Sequence, residues 1–309
     1  MGKQEWSGVF PAIAVPLKSD LSIDEPGFRR YVRWLAGIDG LKGLVVNGHT
    51  GEITCMSREE RKRLAQIAVE EVEGKLSIVS GVSSESTAGA IEDALAAQEA
   101  GAAGILLMPP HLWLRFGMKK AAPVKFFSDV ASAIDIKIIV HLYPAWCKAF
   151  YPVETLLEMA KIPNVVAVKM GTRDMAKYEN DVLVLKKNAP HIALLSCHDE
   201  YLLPTLILGA DGALVGFAGC VPELIVALWR AVEKQDMKEA VRLEEKVFPM
   251  KKAIYGMGEP SGEAHARLKE ALFQMGIFDA AYMRPPVMPL DDEEKSRVTQ
   301  ALREVGLIK

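Results

Sequence analysis

Lys169 closes the run Asn164-Val165-Val166-Ala167-Val168-Lys169-Met170-Gly171, whose β-branched residues have the pattern of a strand buried on both faces. Alternation along a strand sets Val165, Ala167 and Lys169 on one face and Val166 and Val168 on the other. The ammonium therefore shares an apolar face. Burial there disfavours its charged form, lowers its pKa and leaves a nucleophilic amine able to attack a carbonyl. The alternative is a lysine that snorkels over the strand end with its head in water. Its neighbours decide between the two.

Other apolar runs also end in groups able to do chemistry. One ends in Asn47-Gly48-His49-Thr50-Gly51-Glu52, a second in Met108-Pro109-Pro110-His111, a third in His141-Leu142-Tyr143-Pro144, and a fourth in Ser196-Cys197-His198-Asp199. Four of the six histidines thus lie at strand ends, where a shared mouth would make them functional. Gly48 and Gly51 bracket backbone N–H groups that can form a concave site for a carboxylate; the alternative is an ordinary strand-to-helix turn. His141 is the candidate proton carrier, because imidazole titrates near neutrality, with Thr50 and His49 orienting or relaying the proton. Tyr143 has the same strand parity and lies about 6 to 7 Å further on, which makes it the rival. Three histidines with Asp199 or Glu52 could instead hold a divalent metal. The absence of HxH or HxxxH spacing, and Lys169 itself, favour a site with neither metal nor cofactor. Trp113 and Trp146 either pack or shape a specificity pocket.

These residues need a scaffold that brings strand ends together. Strands are expected at Gly8–Val15, Gly43–Asn47, Ser77–Ser80, Gly104–Met108, Ile136–His141, Val165–Lys169, Ile192–Ser196 and Gly212–Gly216, with an amphipathic helical segment after each. Ser57-Arg58-Glu59-Glu60 is a capping box, and Gly101 stands where a helix C-cap glycine belongs. Eight such units of about 27 residues suit a closed (β/α)8 barrel better than an open doubly wound sheet. The glycine-rich Gly256–Gly262 has the wrong spacing for a dinucleotide fingerprint and follows no strand. Three further helices at Met237–Ile254, Gly262–Met275 and Asp291–Val305 divide the chain into a barrel over residues 1–235 and a helical extension over 236–309.

The 309 residues carry a formal net charge of -3, so no basic field for nucleic acid exists. The start MGKQEW lacks the apolar core of a signal peptide. The longest apolar region, Leu202 to Trp229, is broken by Asp211, glycines and two prolines and falls short of a span of about 20 residues. Four scattered cysteines fit free thiols in a reducing cytoplasm.

Over essentially its whole length the chain resembles the dihydrodipicolinate synthase / N-acetylneuraminate lyase family. Gly48–Glu52 (GHTGE) is similar to the family's GTTGE loop, Asn164–Asp174 (NVVAVKMGTRD) to its Schiff-base strand, and Gly209–Gly216 (GADGALVG) to its eighth strand. The resemblance implies a class I aldolase or dehydratase on a (β/α)8 barrel. Lys169 would form an imine with a small-molecule 2-oxo acid whose carboxylate lies on the Gly48–Gly51 amides, within a homodimer or homotetramer. It places His141, 28 residues before Lys169, at the family's catalytic tyrosine. His49 replaces the first threonine of the loop and Thr50 matches the second. His111 replaces a tyrosine lent by a neighbouring subunit, and Leu214 joins the substrate-contacting set. Trp146 stands where lysine-biosynthesis members hold a second carboxylate with arginine, and Lys148 where glycine is usual. These departures point away from dihydrodipicolinate synthesis and towards a 2-keto-3-deoxy sugar acid, with an aromatic 2-oxo acid second.

Overall fold

A computed structural model describes residues 3–257 and 261–309. Residues 258–260 of the glycine-rich stretch, and Met1 and Gly2 of the N-terminal segment, lie outside the described residues. Eight parallel strands alternate with helices. The strands are β1 (Gly8–Pro11), β2 (Gly43–Val46), β3 (Ser77–Val82), β4 (Gly104–Leu107), β5 (Lys137–Leu142), β6 (Val165–Met170), β7 (Ala193–Ser196) and β8 (Gly212–Val215). The helices of the barrel are α1 (Glu25–Ala36), α2 (Arg58–Val72), α3 (Thr87–Glu99), α4 (His111–Phe116), α5 (Ala122–Ala131), α6 (Val153–Met159), α7 (Met175–Asn188), α8 (Leu202–Ile207) and α9 (Pro222–Glu233). After them come α10 (Met237–Tyr255), α11 (Glu263–Gln274) and α12 (Asp292–Glu304).

The strands pair in the order β1-β8-β7-β6-β5-β4-β3-β2. The remaining seam is bridged by the Ile13 and Lys42 amides, which donate to Val45 O and Val9 O at 3.0 Å each. The result is the (β/α)8 barrel that eight alternating units require. Inward-facing side chains such as Phe10, Val45, Leu106, Ile139, Ala167 and Leu195 fill its interior. Residues of opposite parity, Val140 and Val168 among them, pack outward under the helices. Apolar residues of α10, α11 and α12, including Val247, Leu268 and Val298, join the same cluster as Phe28, Leu64 and Ile225 of the barrel helices. No described helix is long and apolar enough to cross a membrane.

Local chemistry fits these boundaries. Ser57 and Glu60 form the expected reciprocal capping box on α2, and Gly101 takes φ 87° after α3, a left-handed conformation that favours glycine. Two details differ from the expected pattern. The pairing of β5 with β6 skips from Ile138↔Val165 to Ile139↔Ala167, so Val165 joins the outer layer and Val166 packs against the inner one. Lys169 therefore shares its face with Ala167 but not with Val165. The second is α4, which at six residues is too short to display a helical period, has no fully buried residue and packs inward through Trp113 on Phe126 and Tyr151.

Candidate active site

His141 and Lys169 are register partners on β5 and β6. Both have the parity of the inward-facing Ile139 and Ala167, so their side chains enter the barrel mouth one strand apart. They are 4% and 9% exposed. Just beyond, a Cβ on Gly171 would lie 2.0 Å from Leu142 O. Only glycine permits the two strand ends to run this close.

The loop after β2 forms the opposite wall. Its ends, Asn47 and Glu52, adopt left-handed φ values of 56° and 55°. Asn47 Nδ2 donates to Arg61 O and to Ser80 Oγ at 2.9 Å each. The Gly51 and Ile53 amides donate to Gly48 O, and the Glu52 amide donates to His49 O. Of the Gly48–Gly51 amides only that of Gly51 is spent within this turn, and those of Gly48, His49 and Thr50 take no part in it. A Cβ on Gly216 would lie 2.9 Å from Thr50 Oγ1 and 3.0 Å from the Tyr255 hydroxyl, so Thr50 closes against the end of β8 and a tyrosine of α10.

Three rings meet above Lys169. The Tyr143 hydroxyl lies 3.0 Å from His49 Nε2. Ring centroids are 5.4 Å apart for His49 and His141 and 4.8 Å for His141 and Tyr143. Burial, with the Lys169 charge beside it and His265 beyond, pushes His49 down to about 3. Burial, then Lys169, His49 and Arg173, hold His141 well below the usual imidazole range. Both are neutral at pH 7, so the expected titration of His141 near neutrality does not hold: the interior position that puts it beside Lys169 also excludes its proton. Burial raises Tyr143 above the ordinary phenol value. A neutral phenol and a neutral imidazole share one hydrogen across this contact, given by the hydroxyl or by Nε2–H according to the tautomer of His49.

The group that titrates close to neutrality is a carboxyl. Burial pushes Asp199 up to about 6, against the opposing pull of the Phe217 N–H, which donates to Asp199 Oδ1 at 2.7 Å. His265 of α11 is pushed down to about 4 by burial, with Lys169 and Lys269 nearby. Neither role is visible in the sequence. Asp199 follows β7, where its type and position suggest only a metal ligand, whereas His265 and Tyr255 come from helices outside the strand-and-helix repeat.

The other expected site residues lie apart from this cluster. The His111 side chain, first residue of α4, is 77% exposed and 4.0 Å from Glu85, so it does not converge with the other histidines within this chain. His198 is fully buried, stacked on Tyr201 at 4.5 Å with Tyr178 edge-on. Leu214 lies in the packed inner layer. Trp146, 63% exposed, lines a pocket of about 360 Å³ with Arg173, Glu200, Tyr201 and Phe248. Arg173 Nε donates to Glu200 at 2.8 Å. Among the described residues, no three His, Cys, Asp or Glu side chains are grouped to hold a metal ion.

Fold and mouth together define a (β/α)8 barrel whose ionisable side chains gather at the C-terminal strand ends. Residues 5–305 match the Dihydrodipicolinate synthetase family, and the chain belongs to that family of lyases. It is 28% identical over 313 residues to a 4-hydroxy-tetrahydrodipicolinate synthase of Chloroherpeton thalassium, covering 100% of this chain and 98% of that one. It is 27% identical over 309 residues to the "Probable 2-dehydro-3-deoxy-D-pentonate aldolase YjhH" of Escherichia coli K12, covering 99% of each. Among solved structures, the E. coli K12 prophage protein YagE, crystallised in complex with pyruvate, superposes with a TM-score of 0.88 at 24% identity over 98% of this chain and 99% of that one.

Proposed function

We propose that the chain is a Schiff-base-forming aldolase of a 2-oxo acid, with Lys169 as nucleophile, His141 as proton carrier and the His49 and Thr50 amides as the C1 carboxylate site. The observation that carries this reading is the register pairing of His141 with Lys169 inside the mouth. The Lys169 amine adds to C2 of the substrate, and loss of water with uptake of one proton leaves a protonated imine. His141 takes the proton of the C4 hydroxyl, the C3–C4 electron pair becomes the C2=C3 bond of an enamine as the C2=N π pair moves onto nitrogen, and an aldehyde departs. The same proton returns from His141 to C3 of the enamine. Water then hydrolyses the protonated imine, releasing pyruvate, the free amine and the proton taken up when the imine formed. Because the proton is taken and given back within one turnover, a buried imidazole suffices as a transient carrier.

The name of YjhH supports a 2-keto-3-deoxy sugar acid as substrate. The pocket lined by Trp146 and Phe248 favours an aromatic 2-oxo acid as the second reading. The exposed α4 face, with His111, Leu112 and Phe116, suits a contact between copies of the chain, which sedimentation of wild type against Phe116→Glu would test.

Borohydride reduction in the presence of pyruvate tests the mechanism. The expected result is a covalent adduct on Lys169, absent from Lys169→Ala. An untouched Lys169 in the wild type would remove the Schiff-base reading. Screening 2-keto-3-deoxy acids and aromatic 2-oxo acids for turnover, with products analysed for dehydration as well as cleavage, selects the substrate.

A further inference from the structure

Glu52, at the end of the β2 loop, is 6% exposed and reaches away from the mouth into the C-terminal helices. Its carboxylate accepts from Nζ of Lys269, 217 residues further along the chain. Its second oxygen accepts the Arg284 amide at 2.9 Å. Lys269 is itself fully buried and also donates to Tyr282 O at 2.8 Å. The Arg284 guanidinium donates to Cys55 O at 2.6 Å, to Leu21 O at 3.1 Å and to both oxygens of Glu60. A buried carboxylate and a buried ammonium persist only as a satisfied pair, and here they join α11 to the loop that presents His49 and Thr50.

The backbone gives this contact a further role. Glu52 sits at φ 55°, ψ 37°, a left-handed conformation unfavourable for a residue with a Cβ and held only where its surroundings impose it. Released from Lys269 and Arg284, Glu52 would relax towards ordinary φ values and turn the preceding amides away from the mouth.

We infer that Glu52, clamped by Lys269 and the Arg284 amide, is a positioning residue that holds the His49 and Thr50 amides in their carboxylate-accepting conformation, so that the C-terminal helices set the affinity of the site for its 2-oxo acid. This inference rests on the Schiff-base reading above.

The test is the pyruvate concentration that gives half-maximal borohydride trapping on Lys169. Glu52→Ala is expected to raise it about tenfold or more while saturating pyruvate still labels Lys169 fully, since affinity and not the nucleophile is lost. Glu52→Gln keeps the shape and one acceptor oxygen but sets its NH2 group against the second donor, and is expected to raise it less than Glu52→Ala does. Glu71→Ala, which removes a carboxylate that bridges Arg29 and Arg33 between α1 and α2, serves as the control for general destabilisation and is expected to stay at the wild-type value. If Glu52→Ala does not fold, the double variant Glu52→Gln/Lys269→Met removes both charges without leaving one unpaired and is expected to fold and bind pyruvate weakly. Wild-type half-saturation in Glu52→Ala or in the double variant, or an equal shift in Glu71→Ala, overturns the proposal while leaving the Schiff base intact. No trapping in the wild type overturns the Schiff-base reading and this proposal with it.

Discussion

The Tyr143 hydroxyl and His49 Nε2, 3.0 Å apart, join the loop after β5 to the loop after β2 across the barrel mouth. Neither group is charged at pH 7, so the contact is a neutral hydrogen bond that fixes the orientation of both rings beside His141. Tyr143→Phe removes the hydroxyl but keeps the ring that packs on His141. Its kcat is expected to fall about tenfold to a hundredfold with KM nearly unchanged, while pyruvate trapping on Lys169 stays at the wild-type level. Steady-state kinetics beside the trapping assay checks this. An unchanged kcat would show that His141 works without the His49–Tyr143 pair.

Asp199, rather than a histidine, is the group placed to give the pH–rate profile a limb close to neutrality. Its carboxyl ionises at about 6, near the charge of Lys169. His49 ionises at about 3 and His141 well below its ordinary range. Activity is expected to rise with pH through about 6, and Asp199→Asn to flatten that limb while His141→Phe lowers the plateau and leaves the limb in place. A limb that persists in Asp199→Asn assigns it to another group.

Two buried imidazoles, His141 and His198, make the fold sensitive to acid. His198 is pushed down to about 3 by burial and then by Arg173; His49, His141 and His265 are lowered as well. A depressed histidine contributes stability that is present above its unfolded pKa of about 6.5 and lost as pH falls through its folded value. For the fully buried His198 that shift corresponds to an upper bound on the order of 5 kcal/mol. Asp199 acts in the opposite sense, its contribution complete below about 4 and lost as pH rises through about 6, but the histidines outnumber it. The melting temperature is expected to fall steeply from pH 6.5 to pH 4, and His198→Phe to lessen that slope. A flat melting profile over this range would mean that these imidazoles are hydrated in the folded protein.

Much of this arrangement is legible in the chain because strand ends carry its chemistry. The apolar run before Lys169 and the parity of His141 with Ile139 suffice to place both side chains in the mouth. Other features have no local signature. The skipped pairing at Val166 depends on its neighbour β5, and the exposure of His111 depends on α4, which turns Trp113 inward and His111 outward. Glu52 and Lys269 meet across 217 residues, with no periodicity to announce the contact. His141 shows a different kind of gap. Its position is deducible, but the same burial that makes it a neighbour of Lys169 also takes its pKa away from neutrality.

Trp146 separates the two halves of the proposed substrate. It lies five residues beyond His141, 63% exposed, and its pocket is shared with Phe248 and with the Arg173–Glu200 pair rather than with the amides of the β2 loop. Pyruvate, which carries only the C1 to C3 portion of the substrate, does not extend to this wall in the proposed pose. Trp146→Ala is therefore expected to leave pyruvate trapping on Lys169 unchanged and to lower kcat/KM for the full-length 2-oxo acid by about tenfold, the scale of removing one aromatic side chain from a binding pocket. The same variant assayed with 2-keto-3-deoxy acids of different length shows which carbon reaches the indole, because a substrate too short to touch it is insensitive to the change. A fall in trapping equal to the fall in turnover would instead make Trp146 part of the packing that shapes the Lys169 mouth.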